Sequence, residues 1–438
     1  MRSSGLSRLA VMIGLLAILA GCALNVPAPT QLPNTAAASA PAVDIEANGT
    51  RHAVWQDCGN GCSILYNRTT SAGATATFTI SPLGGESYSA PDIAIADDGR
   101  AFIVWRSLIA ATNQYVSYFV IVPTGATVIP VKQILAGASA AGAGIDPPSV
   151  VARGDTVYAV YLMTTSAGVH LHKRRLNPLD PAGTQMTANP STRISNVSLA
   201  IDSAGALHTA YEYSGIGSEY QAVFYHGPSS GQRLLANNAI HYDYYSKPDL
   251  ELDASDTAYV LYATNSRSLD VFQRQTSGAE KTFALLPGGA NGWSISWWPD
   301  MAVVGSALEI AFTGSGATTP MKRVQVWKAS LNPGSGAVTP PAVISPDTVY
   351  MAQAPRIVNV QGYPVIVWTQ VDPGSWHCTY ESYWWEKSSG AKKVFTSTGC
   401  YADEFDLAAR GEWLAGVAIS GAQNNANLPS PWIAFNTK

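Results

Sequence analysis

The sequence predicts an all-β fold made of small antiparallel sheets arranged around an axis, and two observations support this. One phrase recurs eight times, about every fifty residues: a short apolar strand, a tight turn and a second strand. In seven copies the second strand ends in an aromatic residue, namely Trp55, Trp105, Tyr161, Tyr211, Tyr262, Phe312 and Trp368. The eighth copy, residues 405–419, lacks this aromatic. A repeat of this length is typical of a radial array rather than of one large core.

The second copy shows the predicted unit most clearly. Residues 90–96 alternate like a strand, a turn at Asp97-Asp98-Gly99 follows, and residues 100–105 form the second strand. Residues 115–122 and 131–135 are the expected third and fourth strands. The turn glycines of the other copies are Gly49, Gly154, Gly205, Gly305, Gly362 and Gly411, and Ser255-Asp256 replaces the glycine in the fifth.

Four strands per unit and eight units predict an eight-bladed β-propeller with antiparallel blades. Seven blades plus a separate hairpin is the structural alternative. We expect a three-stranded last blade, because its third strand, at 431–435, is followed by only three residues. A strand borrowed from the N-terminal segment is disfavoured by the prolines there. The terminal aromatics are expected to pack between neighbouring blades.

The N-terminal residues are interpreted as an export signal followed by a tether. After a basic start, residues 9–19 are apolar but too short to span a membrane, so residues 1–21 are predicted to be a signal peptide. The segment ends in Leu19-Ala20-Gly21-Cys22, which resembles a bacterial lipobox; the resemblance implies cleavage before Cys22 and lipidation of its thiol. An ordinary secretory signal with an unrelated cysteine is the alternative.

Residues 22–40 are rich in Pro, Ala and Thr and are predicted to be a lipidated tether, with the propeller domain at 41–438. By resemblance to Gram-negative sorting signals, Ala23 permits delivery to the outer membrane. We therefore expect an exported protein, lipid-anchored to the bacterial cell envelope. Charged residues make up 13% of the chain and the net charge is −4, without a basic stripe, which argues against nucleic acid as a partner.

Four cysteines remain besides Cys22, an even number that suits disulfides in an exported chain. The predicted pairs are Cys58–Cys62, across one loop, and Cys378–Cys400, at strand ends expected to be neighbours. A four-cysteine metal site is the alternative.

The repeated phrase resembles the sialidase-like repeats of exported bacterial propellers. These have the form Pro-x-apolar-Ala-apolar-Asp-x-x-Gly, followed by an apolar strand that ends in Trp; residues 93–99 and 199–205 match best. The sialidase Asp-box, Ser-x-Asp-x-Gly-x-x-Trp, has no copy, and the arginine triad, Tyr–Glu pair and acid of sialidases are not recognisable. The resemblance thus implies a fold and says little about function.

One face of the predicted propeller is rich in aromatic residues. The loops that lead into first strands share this face with those that leave second strands. Flat rings suit sugars or planar ligands, so we predict a ligand-binding face. The candidate residues are Tyr88, His241, Tyr242, Tyr244, Trp293, Trp297, Tyr350 and Tyr401. Alternatively, these rings pack the loops or plug the channel mouth.

Polar residues recur near the start of each first strand and are expected to surround the central channel. They are Asp44, Asp92, Ser149, Ser198, Asp249, Asp300, Arg356 and Asp406. We expect them to cap backbone N–H groups of the neighbouring blade. Five carboxylates could instead hold Ca²⁺. We predict no cofactor and no other metal.

The predicted function is an envelope-anchored binding module for carbohydrate or a partner protein, and no catalytic residue is assigned. A sialidase-like, glycoside-active enzyme is one alternative; paired carboxylates hydrolyse glycosides, and the nearby acids are Glu381, Glu386, Asp403, Glu404 and Asp406. A structural subunit of an envelope complex is the other alternative.

Overall fold

The computed structural model describes residues 30–31, 38–58, 61–82, 84–140, 146–215, 221–228, 231–238, 247–264, 268–286, 294–315, 324–345, 351–371, 380–386, 390–397, 405–420 and 430–434. These residues form strands joined by turns and loops, and none of them is helical. The predicted all-β class is confirmed. We number the repeat units 1 to 8 in chain order.

Five units are separate four-stranded antiparallel sheets whose strands pair in chain order. Unit 1 contains β2 (Ala38–Ile45), β3 (Arg51–Asp57), β4 (Ser63–Thr69) and β5 (Thr75–Ile80). Unit 2 contains β6 (Glu86–Ile95), β7 (Ala101–Ile109), β8 (Gln114–Val122) and β9 (Gln133–Ala140). Unit 5 contains β18 (Asp249–Leu252), β19 (Ala258–Ala263), β20 (Leu269–Arg274) and β21 (Glu280–Leu286). Unit 6 contains β22 (Ser294–Val304), β23 (Ala307–Ser315), β24 (Gln325–Asn332) and β25 (Ala337–Val343). Unit 7 contains β26 (Met351–Val360), β27 (Tyr363–Val371), β28 (Tyr380–Glu386) and β29 (Gly390–Ser397).

Units 3 and 4 share one eight-stranded sheet. Unit 3 contains β10 (Ser149–Arg153), β11 (Thr156–Thr165), β12 (Gly168–Asn177) and the two-residue β13 (Thr184–Gln185). Unit 4 contains β14 (Ser191–Ile201), β15 (Leu207–Gly215), β16 (Gln221–Gly227) and β17 (Gly231–Asn238). A single residue pair, Val169 with Ser191, joins β12 to β14. The short β13 pairs only with His172 and Lys173, which leaves Val169 near the start of β12 available for this pair.

Unit 8 has four strands, so the prediction of a three-stranded last blade was wrong. It contains β30 (Phe405–Arg410), β31 (Trp413–Ser420), β32 (Ser430–Ala434) and, at its outer edge, β1 (Thr30–Gln31). Thr30 pairs with Ile433 and Gln31 with Trp432. The prolines at 29 and 33 flank this pair of residues and do not interrupt it, and an edge strand tolerates them. Residues inside the predicted tether therefore belong to the sheets, and β2 also begins there.

The turns between first and second strands follow the prediction. All seven predicted turn glycines have positive φ, for example 79° at Gly99. In unit 5, which lacks the glycine, Asp256 adopts φ 59°. Asp tolerates this left-handed conformation better than most residues do, so the hairpin forms without glycine.

The seven terminal aromatics are buried, as expected, with Trp55, Trp105, Phe312 and Trp368 fully so. In the described part of the chain, buried apolar side chains form clusters that each combine two units consecutive in sequence. A further cluster combines Trp55 of unit 1 with Ala415 and Val417 of unit 8. The core is thus divided among the gaps between sheets, which is the packing of a β-propeller.

The first strands of successive units contact one another. In chain order these strands are β2, β6, β10, β14, β18, β22, β26 and β30, and β2 also contacts β30 and β31. The units therefore present their first strands to a common interior, and unit 8 lies beside unit 1.

Candidate functional site

The first strands enclose a polar cavity of about 220 Å³, which we call the first-strand cavity. Its polar lining combines both charge signs with hydroxyl groups: Asp92, Ser149, Ser198, Lys247, Asp249, Asp300 and Arg356. These side chains are half-buried. Pro248 and Pro299 add apolar surface beside them.

β-bulges turn several of these side chains toward the cavity. The first strands of units 2, 4, 6 and 7 each contain a register shift that ends at the lining residue, Asp92, Ser198, Asp300 and Arg356 respectively. In unit 4 the bulge includes Asn196 at φ 52°. A bulge bends its strand and re-aims the next side chain, so the local backbone sets the lining of the cavity.

Most of the polar first-strand residues accept a backbone N–H from the next unit, which confirms the capping interpretation for them. The Oδ2 atoms of Asp92, Asp249 and Asp300 accept from Val150 (2.8 Å), Met301 (2.7 Å) and Ile357 (2.7 Å). Ser198 Oγ accepts from Leu250 at 3.1 Å. Asp406 Oδ2 accepts from Val43 at 2.9 Å and so connects unit 8 to unit 1.

Asp44 does not occupy the same place in its strand as Asp92, although both lie near the start of a first strand. In unit 2, Asp92 pairs with Val104, the residue that precedes the terminal aromatic Trp105. In unit 1 the equivalent residue, Val54, pairs with Ala42. Asp44 lies two residues further along β2 than Ala42, on the same side of the strand. From there its Oδ2 accepts the N–H of Ile95 at 2.7 Å.

Burial, and after it the crowding of like charges, raises the pKa values of the acids in this region. Burial raises the pKa of Asp92 and of Asp249 to about 7 and that of Asp44 to about 6. Burial also raises the pKa of Glu251, two residues beyond Asp249, well above its usual value, and the nearby Asp249 adds to this. The guanidinium of Arg356, followed by burial, lowers the pKa of Lys247 to about 8.

Arg356 compensates part of the acidic charge. Its Nη1 lies 3.5 Å from Asp300 Oδ1. Within the described ranges no three His, Cys, Asp or Glu side chains are grouped so that they could hold a metal ion. Ca²⁺ at this position stays an untested alternative.

Tyr88, a predicted ligand-binding residue, lies in the core. It is fully buried, its ring centroid is 5.5 Å from that of Trp105, and Lys132 Nζ donates to its hydroxyl at 2.5 Å. For this residue the packing interpretation is therefore the right one. Trp297 belongs to β22 and pairs with Thr313. The other predicted ring residues lie outside the described residues: His241, Tyr242, Tyr244, Trp293, Tyr350 and Tyr401.

The predicted Cys58–Cys62 disulfide is confirmed, with an S–S distance of 2.08 Å. Cys22, Cys378 and Cys400 fall outside the part of the chain that the structure describes, so lipidation and the second disulfide stay predictions. Of the described segments, none forms a helix long and apolar enough to cross a membrane.

The acids proposed for the glycosidase alternative are only partly described. Asp406 uses Oδ2 for the N–H of Val43. Asp403 and Glu404 lie outside the described residues, and Glu381 and Glu386 belong to β28. Sequence reasoning missed Lys247 and Glu251. The period of two along β18 would have placed Glu251 on the same side of the strand as Asp249, whereas Lys247 precedes β18 and the period does not place it.

No protein-family model matches the chain, and no curated protein matches it significantly. Among solved structures, it is similar to a protein of unknown function from Dyadobacter fermentans, with 7% identity, a TM-score of 0.43 and coverage of 95% of this chain and 99% of that one. It is also similar to the β-propeller domain of the Trilobed protease from Pyrococcus furiosus, described as having an open velcro topology (8%, 0.44, 83% and 98%). A third similar structure is the intramolecular trans-sialidase from Ruminococcus gnavus (9%, 0.39, 79% and 92%).

Proposed function

We propose that this chain is an exported, lipid-anchored, eight-bladed propeller that binds the end of a carbohydrate chain at its first-strand cavity. The observation that carries this proposal is the cavity itself, a recess of about 220 Å³ that presents carboxylates, hydroxyls, an ammonium and a guanidinium side by side. A sugar offers hydroxyl groups that both donate and accept, so a lining of mixed polarity matches it better than a lining of one sign.

Closure of the ring is supported by the contacts between units 1 and 8. Trp55 packs with Ala415 and Val417, and Asp406 accepts the N–H of Val43. The gap between units 7 and 8 holds its own cluster, with Val367 and Leu414. Each unit packs on the next and the last on the first, which supports one blade for each of the eight repeats.

The predicted ring residues are close in sequence to the cavity lining. Tyr244 precedes Lys247 by three residues, and Trp297 precedes Asp300 by three. In this proposal the two residues supply flat rings that suit the apolar side of a sugar. Tyr88 is excluded from this set because it is buried.

Export is supported by the Cys58–Cys62 disulfide, since disulfides persist in oxidising compartments. In this proposal Cys22 carries the lipid that holds the propeller at the cell envelope.

Binding is favoured over glycoside hydrolysis by the state of the carboxylates. Asp92, Asp249, Asp300 and Asp406 each use one oxygen to accept a backbone N–H from the neighbouring unit. A carboxylate held in this way has a structural role, because it joins two units. A glycosidase needs a pair of acids that are free to act on either side of the scissile bond.

The test is glycan-array binding, followed by calorimetry, with a soluble chain that begins at Ala23. Lys247→Gln and the double variant Tyr244→Ala/Trp297→Ala are expected to weaken the binding of any positive glycan by about tenfold or more. Lys281→Gln, on the outer strand β21, is the matched control and should bind normally. Folded protein that binds no glycan, or that binds with all variants equal, contradicts the proposal. Turnover of a bound glycan would instead indicate a hydrolase.

A further inference from the structure

A larger cavity, of about 510 Å³, lies between units 6 and 7, and we call it the turn-face groove. Its walls include Glu309 near the start of β23, Lys328 and Ser330 in β24, Tyr363 at the start of β27 and Trp385 near the end of β28. The turns between first and second strands all lie on one face. Second strands start at this face, and first and third strands end at it. The groove therefore opens on the face opposite the loops that lead into the first strands.

One wall of the groove is a polar cluster without net charge. Glu309 forms an ion pair with Lys328. Ser330 Oγ donates to Glu309 Oε2 at 2.8 Å, and Lys328 Nζ lies 3.5 Å from Ser330 Oγ. These groups fix one another's positions while carboxylate oxygens and ammonium protons remain as further acceptors and donors.

The other wall is aromatic. Tyr363 is 57% exposed, and no other aromatic side chain of the described residues is among the exposed large hydrophobic ones. Trp385 is half-buried, and Lys328 Nζ lies 5.6 Å from its ring centroid. The groove thus places a phenol and an indole opposite a set of fixed polar groups.

The groove differs from the gap between units 4 and 5 at one repeat position. In units 4 and 6 one third-strand residue pairs with the residue that precedes the terminal aromatic. This third-strand residue is Tyr225 in unit 4 and Lys328 in unit 6. Tyr225 fills the gap between units 4 and 5, with its ring centroid 5.7 Å from that of Phe272. Trp385 is the residue of unit 7 that is equivalent to Phe272 in unit 5. Each pairs with the residue two positions before the terminal aromatic of its unit. Between units 6 and 7, therefore, a slender lysine chain faces an indole and leaves space of the kind that two rings fill between units 4 and 5.

We propose that the turn-face groove is a second binding site, for a neutral oligosaccharide. Pockets for small ligands measure about 300–1,000 Å³, so the volume suits more than one sugar ring. The internally paired Glu309 and Lys328 disfavour a strongly charged ligand, and the polar wall disfavours a purely apolar one. An aromatic surface opposite fixed donors and acceptors matches a sugar, which has apolar C–H faces and hydroxyl edges. This inference does not depend on ligand binding at the first-strand cavity.

The test titrates the soluble chain that begins at Ala23 with four neutral tetrasaccharides, cellotetraose, maltotetraose, xylotetraose and chitotetraose, and follows tryptophan fluorescence and heat. Tyr363→Ala is expected to weaken binding about tenfold without lowering the melting temperature, because the ring is mostly exposed. Trp385→Ala should abolish both binding and the fluorescence change. Leu234→Ala in β17 is the control, because that side chain is 47% exposed and lies outside the groove, and the variant should bind normally.

The outcomes separate this site from the first-strand cavity. Lys247→Gln should leave the groove's affinity unchanged, and Tyr363→Ala should leave the first-strand cavity's affinity unchanged. The proposal is overturned if none of the four sugars binds at millimolar concentration, or if binding ignores both Tyr363→Ala and Trp385→Ala. Binding of a proline-rich peptide that is lost in Tyr363→Ala, with no sugar bound, would assign the groove to a protein ligand and also overturn it.

Discussion

The indole of Trp413 lies directly against Gly49, so closely that a Cβ atom on Gly49 would stand 2.5 Å from Trp413 Cε2. Gly49 belongs to the hairpin turn of unit 1, and Trp413 begins β31 of unit 8. The contact brings together two residues from opposite ends of the repeat array. Only glycine permits it, because a side chain at position 49 would overlap the ring.

Gly49→Ala is therefore expected to destabilise the protein more than the strain of a positive φ explains. Gly73→Ala is the matched control, because Gly73 has φ 89° against 84° at Gly49 but nothing within 4 Å of the added carbon. The control should cost about 1–2 kcal/mol and Gly49→Ala about 1–3 kcal/mol more, measured by urea unfolding. In Gly49→Ala/Trp413→Ala the excess should shrink, and equal losses for the two glycine variants would refute this explanation.

Asp92 links stability to pH. Its pKa is raised to about 7, so its folded form binds a proton more tightly than the unfolded chain does. The resulting stabilisation is complete below the unfolded pKa, near 3.8, and is lost as pH rises through about 7. Asp44 and Asp249, with pKa values of about 6 and 7, act in the same direction. Because of these groups, the melting temperature should fall as the pH rises from 5.5 to 8.

Asp92→Asn should reduce this slope, because the side chain no longer carries a charge; its amide oxygen can still accept the N–H of Val150, and only the acceptor for the N–H of Ile93 is lost. We expect a melting temperature at pH 8 that is higher than that of the unsubstituted protein by about 2–4 °C. Asp92→Ala, which removes the acceptor of both N–H groups, should be less stable at both pH values. Thermal melts at pH 5.5 and 8 measure this, and identical slopes for the Asn variant and the unsubstituted protein would contradict the assignment.

The β1 strand should stabilise unit 8 by covering the edge of β32. A soluble chain that begins at residue 34 lacks Thr30 and Gln31, whereas one that begins at Val26 retains them. The shorter chain is expected to melt a few degrees lower, by about 2–4 °C per kcal/mol lost, and to aggregate more readily because a strand edge is exposed. Light scattering during the melt reports both effects. Indistinguishable behaviour of the two chains would mean that β1 contributes nothing to the sheet.

The Cys58–Cys62 disulfide closes a short loop, so its contribution should be modest. Cys58→Ser/Cys62→Ser is expected to lower the free energy of unfolding by about 2 kcal/mol or less. Comparing the variant with the unsubstituted protein under oxidising conditions measures the loss, and adding a reductant should narrow the difference. A difference that stays the same in reductant would show that the substitutions act through packing instead.

The repeat predicted the secondary structure closely because its signals are local. Alternation along Ile93 and its neighbours, the positive φ of Gly99 and the apolar strand that ends in Trp105 specify a hairpin without reference to the rest of the chain. The same phrase could not reveal Thr30 and Gln31 as a strand. Their pairing depends on an edge of β32 that lies some four hundred residues away.

The candidate sites were less accessible to sequence reasoning. Their position near the start of a first strand grouped Asp44 with Asp92 in the sequence, but the strand pairing gives the place of Asp92 in unit 1 to Ala42. The pairing of Lys328 with Trp385 across two units had no sequence signal at all, since neither residue is unusual in its own strand.

The sequence by itself determined the repeating antiparallel unit, its turns and the burial of its aromatic residues, because strand period, turn chemistry and apolar patterning act over a few residues. The tertiary structure alone decided which polar groups meet. The joining of unit 8 to unit 1 through Asp406 and Val43, the mixed charges of the first-strand cavity and the open gap beside Trp385 all depend on how whole sheets pack. Packing brings together side chains that are distant along the chain, and the spacing of residues within one repeat carries no information about those neighbours.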